Sequence, residues 1–475
     1  MQAYRRMHYN HSLDFAVRLA KENNSKLIIY EGLRKDYPWS SPRLHKFILE
    51  GMCDNYEDSK KQGFTYWSYV EEDSNPARGL LKLLSKDAVA VVTDDFPSFI
   101  IPEQTDALSK KIDCTLYSID GNSIIPIGMY GTFASAARIL RPRVHLLFSG
   151  GYQNKSKSAY KLKDIESLQF EGKPPFEPFS CNAKDIDSKL KNITFRHPEV
   201  KPFLKNRGGR KEALKNLKEF LSKKLSRYHE DRNQPGDPYK TCVSLMSPYL
   251  HFGHISQEEI VREVLDDGGE EWKVQNMNMK MKGKRDDIYS KRPEVNSYLD
   301  ELITWRDIGY HLFWQERSFK KDLNNLPGWA KENMKKHAKD KRKILYSKEQ
   351  LDQSLTHDVV WNAAQKELKL TGRMHNYLRM LWGKKIIEWT PNYQTAFEIM
   401  EDFNNLYAYD GRNPNSYTGI LWCFGLFDRP WFPERDVFGV FRYMSSDSTV
   451  KKLKMAPYYK YLEDVGGNGE NLFIQ

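Results

Sequence analysis

Strand-like segments are confined to about the first 120 residues of this chain, and from about residue 208 onward they nearly vanish. That asymmetry limits the fold more than any motif does. SLDFAVRLAKENN reads as a helix, KLIIYEGL as a short apolar strand, and SPRLHKFILEGMCDNYEDSKKQG as a helix opened by Ser-Pro. FTYWSYV, AVAVVTD and CTLYSIDG are strand-like, with the helical ARGLLKLLSK among them. Strands alternating with helices predict an α/β domain built on a parallel, Rossmann-like sheet with helices on both faces. Such a domain normally opens on a buried strand, and this chain opens on a helix. The first strand is therefore expected to be missing, leaving an exposed sheet edge, with Met1 an internal methionine of a longer natural chain.

Residues 150–207 are rich in Gly, Lys, Ser and Pro and predict a surface connector after an α/β domain of residues 1–149. GGRKEALKNLKEFLSKKLSRYHEDRN then opens an all-helical domain spanning 208–465. Residues 466–475 are expected to be a flexible tail or tag remnant. No repeat of 20–50 residues is evident. Lys plus Arg is 74 against 63 acidic residues, a net charge of +11. The excess concentrates in 280–292 and 331–343, which permits nucleic-acid binding and equally suits solvated surfaces. Five cysteines without CxxC or His-paired spacing read as reduced thiols, with no metal site. No run of about 18 uncharged apolar residues suggests a membrane span, and no apolar signal core follows Met1. A cytoplasmic monomer with no membrane partner is expected.

Several blocks carry chemistry. In HDVVWNAAQKELKLTGRMHNYLRMLWGKKIIEW, Trp382 and Trp389 are seven residues apart, so they share a helix face about 10 Å apart. With Trp361 they form either core or a path of oxidisable indoles from a buried cofactor towards solvent. TCVSLMSPYLHFGHIS, SYLDELITWRDIGYH and YDGRNPNSYTGILW complete the set. Together, in this order and across most of the chain, these blocks resemble the photolyase/cryptochrome superfamily, and most nearly class II cyclobutane pyrimidine dimer photolyases.

The resemblance implies light-driven repair of UV-damaged DNA by electron transfer from reduced FAD, folded in a U shape, to a flipped-out lesion. Ser244, Leu245, Met246 and Ser247 match the flavin-phosphate loop, with hydroxyls and backbone N–H groups to hold a diphosphate and Pro248 starting a helix. Tyr228 is implied near the flavin phosphates and Arg232 facing DNA. Glu301 is implied against the lesion, where a buried carboxyl must be protonated or hydrogen-bonded. Trp305, four residues on, would share its face as an apolar wall, with Arg306 turned to flavin or a nearby carboxylate. Met380 is implied to touch the dimer, and Trp422 to form the second aromatic wall. Asn376, Arg379 and Asp410 look like polar flavin contacts, the last two as a buried ion pair, and Gly411 would let backbone approach the ring. Asn404 is the candidate opposite flavin N5, with Asn415 the alternative. The relay is expected to run Trp382, Trp361, Trp389, and Arg442 to reach the duplex where the lesion has left it.

An antenna chromophore of deazaflavin or folate type is the resemblance's further implication, with Asp94, Asp95 and Phe96 at the carboxyl edge of the sheet. The chain departs from class II at Asn376, where Gly is common, and at Leu381, where an aromatic is usual. A cryptochrome-like photoreceptor without repair stays open as an alternative. So does repair of the (6-4) photoproduct, which wants a histidine pair; His254 and His375 instead occupy positions assigned to flavin packing.

Overall fold

The computed structural model describes residues 1–74, 78–267 and 271–466. Of the expected tail at 466–475, Gly466 ends the helix Ala456–Gly466 and the rest lies outside the described residues.

Helix α1 (His11–Glu22) starts where the Asn10 side chain accepts from the N–H groups of Ser12 and Leu13. Strand β1 (Ile28–Leu33) leads into α2 (Pro42–Gln62), which has proline in its first turn and ends at Gly63, φ 87°. Strand β2 (Thr65–Val70) pairs parallel to β1, with Ile28 opposite Thr65. After α3 (Leu80–Leu84), β3 (Ala90–Asp94), α4 (Ile100–Ser109) and β4 (Thr115–Ile119), a second parallel pair forms with Ala90 opposite Thr115. The α/β reading holds, with one correction. The strands make two separate two-stranded sheets. The chain's first residues bridge the two pairs through side chains: one Asp94 oxygen accepts from the backbone N–H groups of Gln2, Ala3 and Tyr4 at 2.8, 2.8 and 2.9 Å, and Arg5 reaches Glu31 and the Gly32 carbonyl of β1. A carboxylate thus does at this junction what a ladder of carbonyls does within a sheet.

The glycines at 150–151, expected to open the connector, lie inside α5 (Ala137–Gln153). A Cβ on Gly151 would stand 2.4 Å from the Ile124 carbonyl oxygen, so close packing, and not a break, explains that glycine. The following segment straps the β1–β2 pair. Phe179 N–H donates to Ser68 O at 3.0 Å, and Phe176 sits edge-on to Tyr69 at 5.1 Å.

Beyond residue 208 the described chain is helical. The core there is organised around Val359–Thr371, Asn376–Trp389, Tyr393–Tyr407 and Pro414–Trp422, and contains Trp361, Trp382 and Trp389. A second apolar cluster crosses from the α/β part into the helical part, joining Phe47, Phe96 and Ile124 to Tyr249, Tyr310 and Tyr409. Arg43 of α2 locks this boundary. Its buried guanidinium donates to Lys369 O at 2.6 Å, Tyr407 O at 2.9 Å and Leu370 O at 3.2 Å. It thereby satisfies the orphan carbonyls at the ends of two helices. Among the described residues, no helix is long and apolar enough to cross a membrane.

Candidate functional site

Glu301 and Trp305 lie on a π-helical segment, Asp300–Trp305, set between the α-helices Pro293–Leu299 and Arg306–Gln315. Such insertions recur at functional positions because they re-aim side chains without ending the helix. Asp300 anchors this one through a buried two-pronged ion pair with Arg141 of α5, at 2.7 and 3.0 Å. Gly309, one turn on, lets the helix close on Pro414–Trp422, since a Cβ there would sit 2.3 Å from Asn415 Oδ1.

The Glu301 carboxylate accepts a hydrogen bond from Arg232, the two side chains being 32% and 29% exposed. An ion pair, and not isolation in an apolar pocket, is therefore what holds this carboxylate. Arg232 accordingly faces Glu301, with its guanidinium 5.8 Å above the Tyr228 ring. Tyr228 is buried edge-on against Tyr298 at 5.2 Å. Trp305 and Trp422 stack on one another, centroids 5.1 Å apart and planes 12° apart. They form one continuous aromatic surface. A flat base fits between them only if they part, since each stacking interface takes about 3.5 Å. Met380 is half-buried on the flank of the tryptophan-containing core.

The loop carrying Ser244, Leu245 and Met246 is set by Leu245, whose φ of 61° turns the chain. Ser244 Oγ accepts from Met246 N–H at 3.4 Å, and Ser247 opens a helix of five residues, Ser247–His251. A helix this short offers its N–H groups and little macrodipole. Asp410 meets Arg379 at 3.3 Å. Burial pushes the Asp410 carboxyl up, but Arg379, the Ser247 hydroxyl and Arg373 together hold it below its ordinary value. Asn376 is exposed at the start of its helix. Gly411 is explained by the protein itself: a Cβ would stand 2.6 Å from Asn404 O.

Asn404 is buried, with its amide 3.4 Å from Asn405 Oδ1. Asn405 and Arg412, which the sequence reasoning missed, hold this corner. Asn405 Oδ1 accepts Arg412 N–H at 2.8 Å, and the buried Arg412 guanidinium caps the carbonyls of Asn405, Ala408 and Tyr409. Burial depresses Arg412 to about 10. Arg306 is turned away from this corner. It pairs with Asp307 at 3.1 Å, donates to Ser123 Oγ at 2.9 Å and lies 4.1 Å above the Tyr310 ring. Of its two expected targets it takes the nearby carboxylate, because Ser123, Tyr130 and Gln257 all converge on Asp307. Burial raises the Asp307 carboxyl to about 6.

The tryptophans come together across two helices. Trp361 N–H donates to Trp382 O at 3.0 Å, and its ring meets Trp389 edge-on at 5.6 Å. All three are at most 2% exposed. Trp382 N–H donates to Gln365 Oε1 at 2.8 Å. Gln365 was missed as well, although its place four residues after Trp361 put it on the same helix face. Beyond Trp389 lie Tyr346 and His357, each with its ring 5.4 Å away.

His254 and His375 have separate partners. His254 accepts from Gly209 N–H and stacks on Phe47, whereas His375 reaches Arg232 O at 3.2 Å. Asp94, Asp95 and Phe96 are engaged within the chain: by residues 2–4, by Arg317 at 2.7 Å, and by the Tyr310 ring at 5.7 Å. Arg442 is exposed, 4.9 Å above the Trp431 ring. Among the described residues, buried atoms without a hydrogen-bond partner cluster on the same elements: His251 Nδ1, His375 Nδ1, Asn415 Oδ1 and Trp422 Nε1. Orphans of this kind cost free energy unless a ligand or water satisfies them. A polar, aromatic cofactor lying among these elements fits them.

No protein-family model matches the chain. A deoxyribodipyrimidine photo-lyase of Methanothermobacter thermautotrophicus is 33% identical over 96% of this chain and 92% of its own length. An archaeal photolyase from Sulfolobus tokodaii, solved with two FAD molecules, superposes with a TM-score of 0.64 at 14% identity, over 98% of this chain and 90% of that one. A cryptochrome from Synechocystis sp. PCC6803 superposes with a TM-score of 0.62 at 14% identity, over 97% of this chain and 86% of that one.

Proposed function

The chain belongs to the deoxyribodipyrimidine photo-lyase family, and we propose that it performs the light-driven repair of cyclobutane pyrimidine dimers in DNA with the residues assembled above. The observation that carries the reading is the π-helical segment that sets the Glu301 carboxylate, held by Arg232, beside the Trp305–Trp422 surface. A photoreceptor with no substrate has no use for a charged group beside a half-buried aromatic platform. Class II membership is part of the proposal and rests on the sequence blocks alone.

FAD is the proposed cofactor, held by Ser244, Leu245, Met246, Ser247, Tyr228, Asn376, Arg379, Asp410 and Gly411. The chemistry it would supply when bound is donation of an electron to the lesion under blue light. The protein's residues do the rest. Trp305, Trp422 and Met380 receive the extrahelical bases; flipping them out costs a few kcal/mol, and least at damaged steps, which contributes selectivity. Arg232, aimed by the Glu301 carboxylate, offers hydrogen bonds to the base carbonyls where negative charge develops. Asn404, fixed through Asn405 and Arg412, presents an amide to the cofactor ring without a charge of its own. Trp382, Trp361 and Trp389 carry electrons inward in reverse order. Arg442 and the basic runs supply phosphate contacts, so binding weakens with salt. A deazaflavin- or folate-type antenna belongs to the proposal as well, and Asp94, Asp95 and Phe96 are the weakest part of it, being already engaged by protein groups. The enzyme is proposed to act as a cytoplasmic monomer.

The test is direct. The purified protein is expected to be yellow and to release about one FAD per chain on heating. With its flavin reduced, blue light restores thymine absorbance to dimer-containing oligothymidine. A folded, flavin-loaded protein that restores none ends the repair reading and leaves the photoreceptor one.

A further inference from the structure

The loop Asp428–Tyr443 presents a stack of Arg429, Trp431 and Arg442, the two guanidinium groups lying 4.4 and 4.9 Å from the indole. Beside it stands Phe432, 79% exposed. A loop this long holds such a surface only if something fixes its backbone. The fixing groups come from the helix Gly328–Lys336, the turn after it and the start of the helix Tyr393–Tyr407. Asn333 donates to Phe438 O at 3.0 Å and accepts from Val440 N–H at 2.8 Å. Asp340 accepts from Val437 N–H at 2.8 Å, and Tyr393 OH donates to Val437 O at 2.6 Å. The backbone N–H of Trp431 in turn donates to Val440 O at 2.8 Å, so the fixed turn positions the stack. Gly439, at φ 53°, allows the approach: a Cβ there would be 2.1 Å from Asn333 Oδ1 and 2.5 Å from His337 Cδ2.

His337 sits at the centre of this contact. Its Nδ1 is 2.6 Å from Asp340 Oδ2, and its Nε2 is 2.9 Å from Glu434 Oε1. Carboxylates accept and do not donate, so both ring nitrogens must carry hydrogen, which only the imidazolium does. We propose that His337 is a positioning residue for damaged duplex: as an imidazolium bridging Asp340 and Glu434 it clamps the 428–443 loop in its binding conformation, and loss of its proton releases the loop. The inference rests on the reading that this loop meets DNA through Arg442.

The charged groups facing the imidazole are Asp340 and Glu434, with Lys336 paired to Glu434 at 2.7 Å and Arg342 donating to Asp340 O. Burial opposes charge on His337, but its hydrogen bonds to Glu434 and Asp340 outweigh that and raise it above its ordinary value. The clamp is therefore complete at pH below the ordinary histidine value and is lost as pH rises through the raised one.

The experiment uses the FAD-loaded protein. It measures affinity for dimer-containing duplex and for dimer-containing oligothymidine between pH 6 and 9, in the wild type and in H337Q, E434Q and R442A. Wild-type duplex affinity should fall about fivefold or more across the range, with much less change on oligothymidine. H337Q should bind duplex weakly and evenly at every pH. E434Q, which removes one exposed carboxylate and leaves the buried contacts, should move the wild-type transition to lower pH. Flavin absorbance and far-UV circular dichroism confirm that each variant is folded. If R442A weakens duplex binding while H337Q keeps wild-type affinity and pH profile, the clamp is overturned and the loop's DNA role stands. If R442A binds duplex normally, the loop's DNA role fails and the clamp fails with it.

Discussion

Glu367→Gln is the substitution with the most quantitative consequence. Glu367 is buried in the helix Val359–Thr371, and one of its oxygens accepts from Tyr458 OH at 2.7 Å and from His375 N–H at 3.3 Å. Burial pushes its carboxyl from 4.5 to about 7, against the pull of those two hydrogen bonds and of Arg379 and Arg373. The folded state therefore binds a proton that the unfolded state has released. Stability from this group is full below about pH 4.5, declines as pH rises to about 7, and is flat above. At about 1.4 kcal/mol for each pH unit between the two values, the loss is about 3 kcal/mol. Glutamine has nearly the same shape and cannot ionise. Its carbonyl keeps both hydrogen bonds, and its extra N–H costs the same at every pH. Denaturation free energies of wild type and Glu367→Gln, measured at pH 5 and pH 8, isolate the group from all others that titrate. The variant should gain about 3 kcal/mol relative to wild type between those two pH values. An equal difference at both would show that Glu367 is ionised, or exposed, throughout, and the burial argument would be wrong.

Trp382→Phe should abolish photoreduction of the oxidised cofactor by an external donor while leaving repair by chemically reduced enzyme intact; normal photoreduction would put the relay elsewhere. Glu301→Ala should lower repair yield by more than it weakens lesion binding, because the carboxylate aims the Arg232 guanidinium where charge develops; equal losses would reduce the pair to ground-state binding. Arg43→Met should cost about 3 kcal/mol in chemical denaturation, since it leaves buried carbonyls of two helices without a donor; a cost within about 0.5 kcal/mol, the range of ordinary surface changes, would show that water replaces the guanidinium there.

Much of the architecture was legible in the chain because it is local. Alternation of apolar strands with amphipathic helices marked the α/β part, and their disappearance after about residue 208 marked the helical part. The Ser-Pro start of α2 and the left-handed Gly63 at its end follow from backbone preferences that a single residue sets. Periodicity likewise placed Glu301 and Trp305 on one face, and the recognisable blocks gathered the remaining site residues.

What the sequence could not settle depends on partners far along the chain. Asp94 looked like a ligand-facing residue at a sheet edge; it is consumed by the N–H groups of residues 2–4, some ninety positions away. Arg306 had two targets open to it, and the convergence of Ser123, Tyr130 and Gln257 on Asp307 decided between them. Trp382 and Trp389 share a helix face, yet their connection runs through Trp361 on another helix. A period of 3.6 residues fixes which side chains share a face, and only the packing of that face against distant chain fixes what it meets. His337 is the clearest instance. In sequence it is one residue in the basic run KENMKKHAKDKRK, and its charge acquires a role only because the fold brings Glu434 across from a loop ninety-seven residues later.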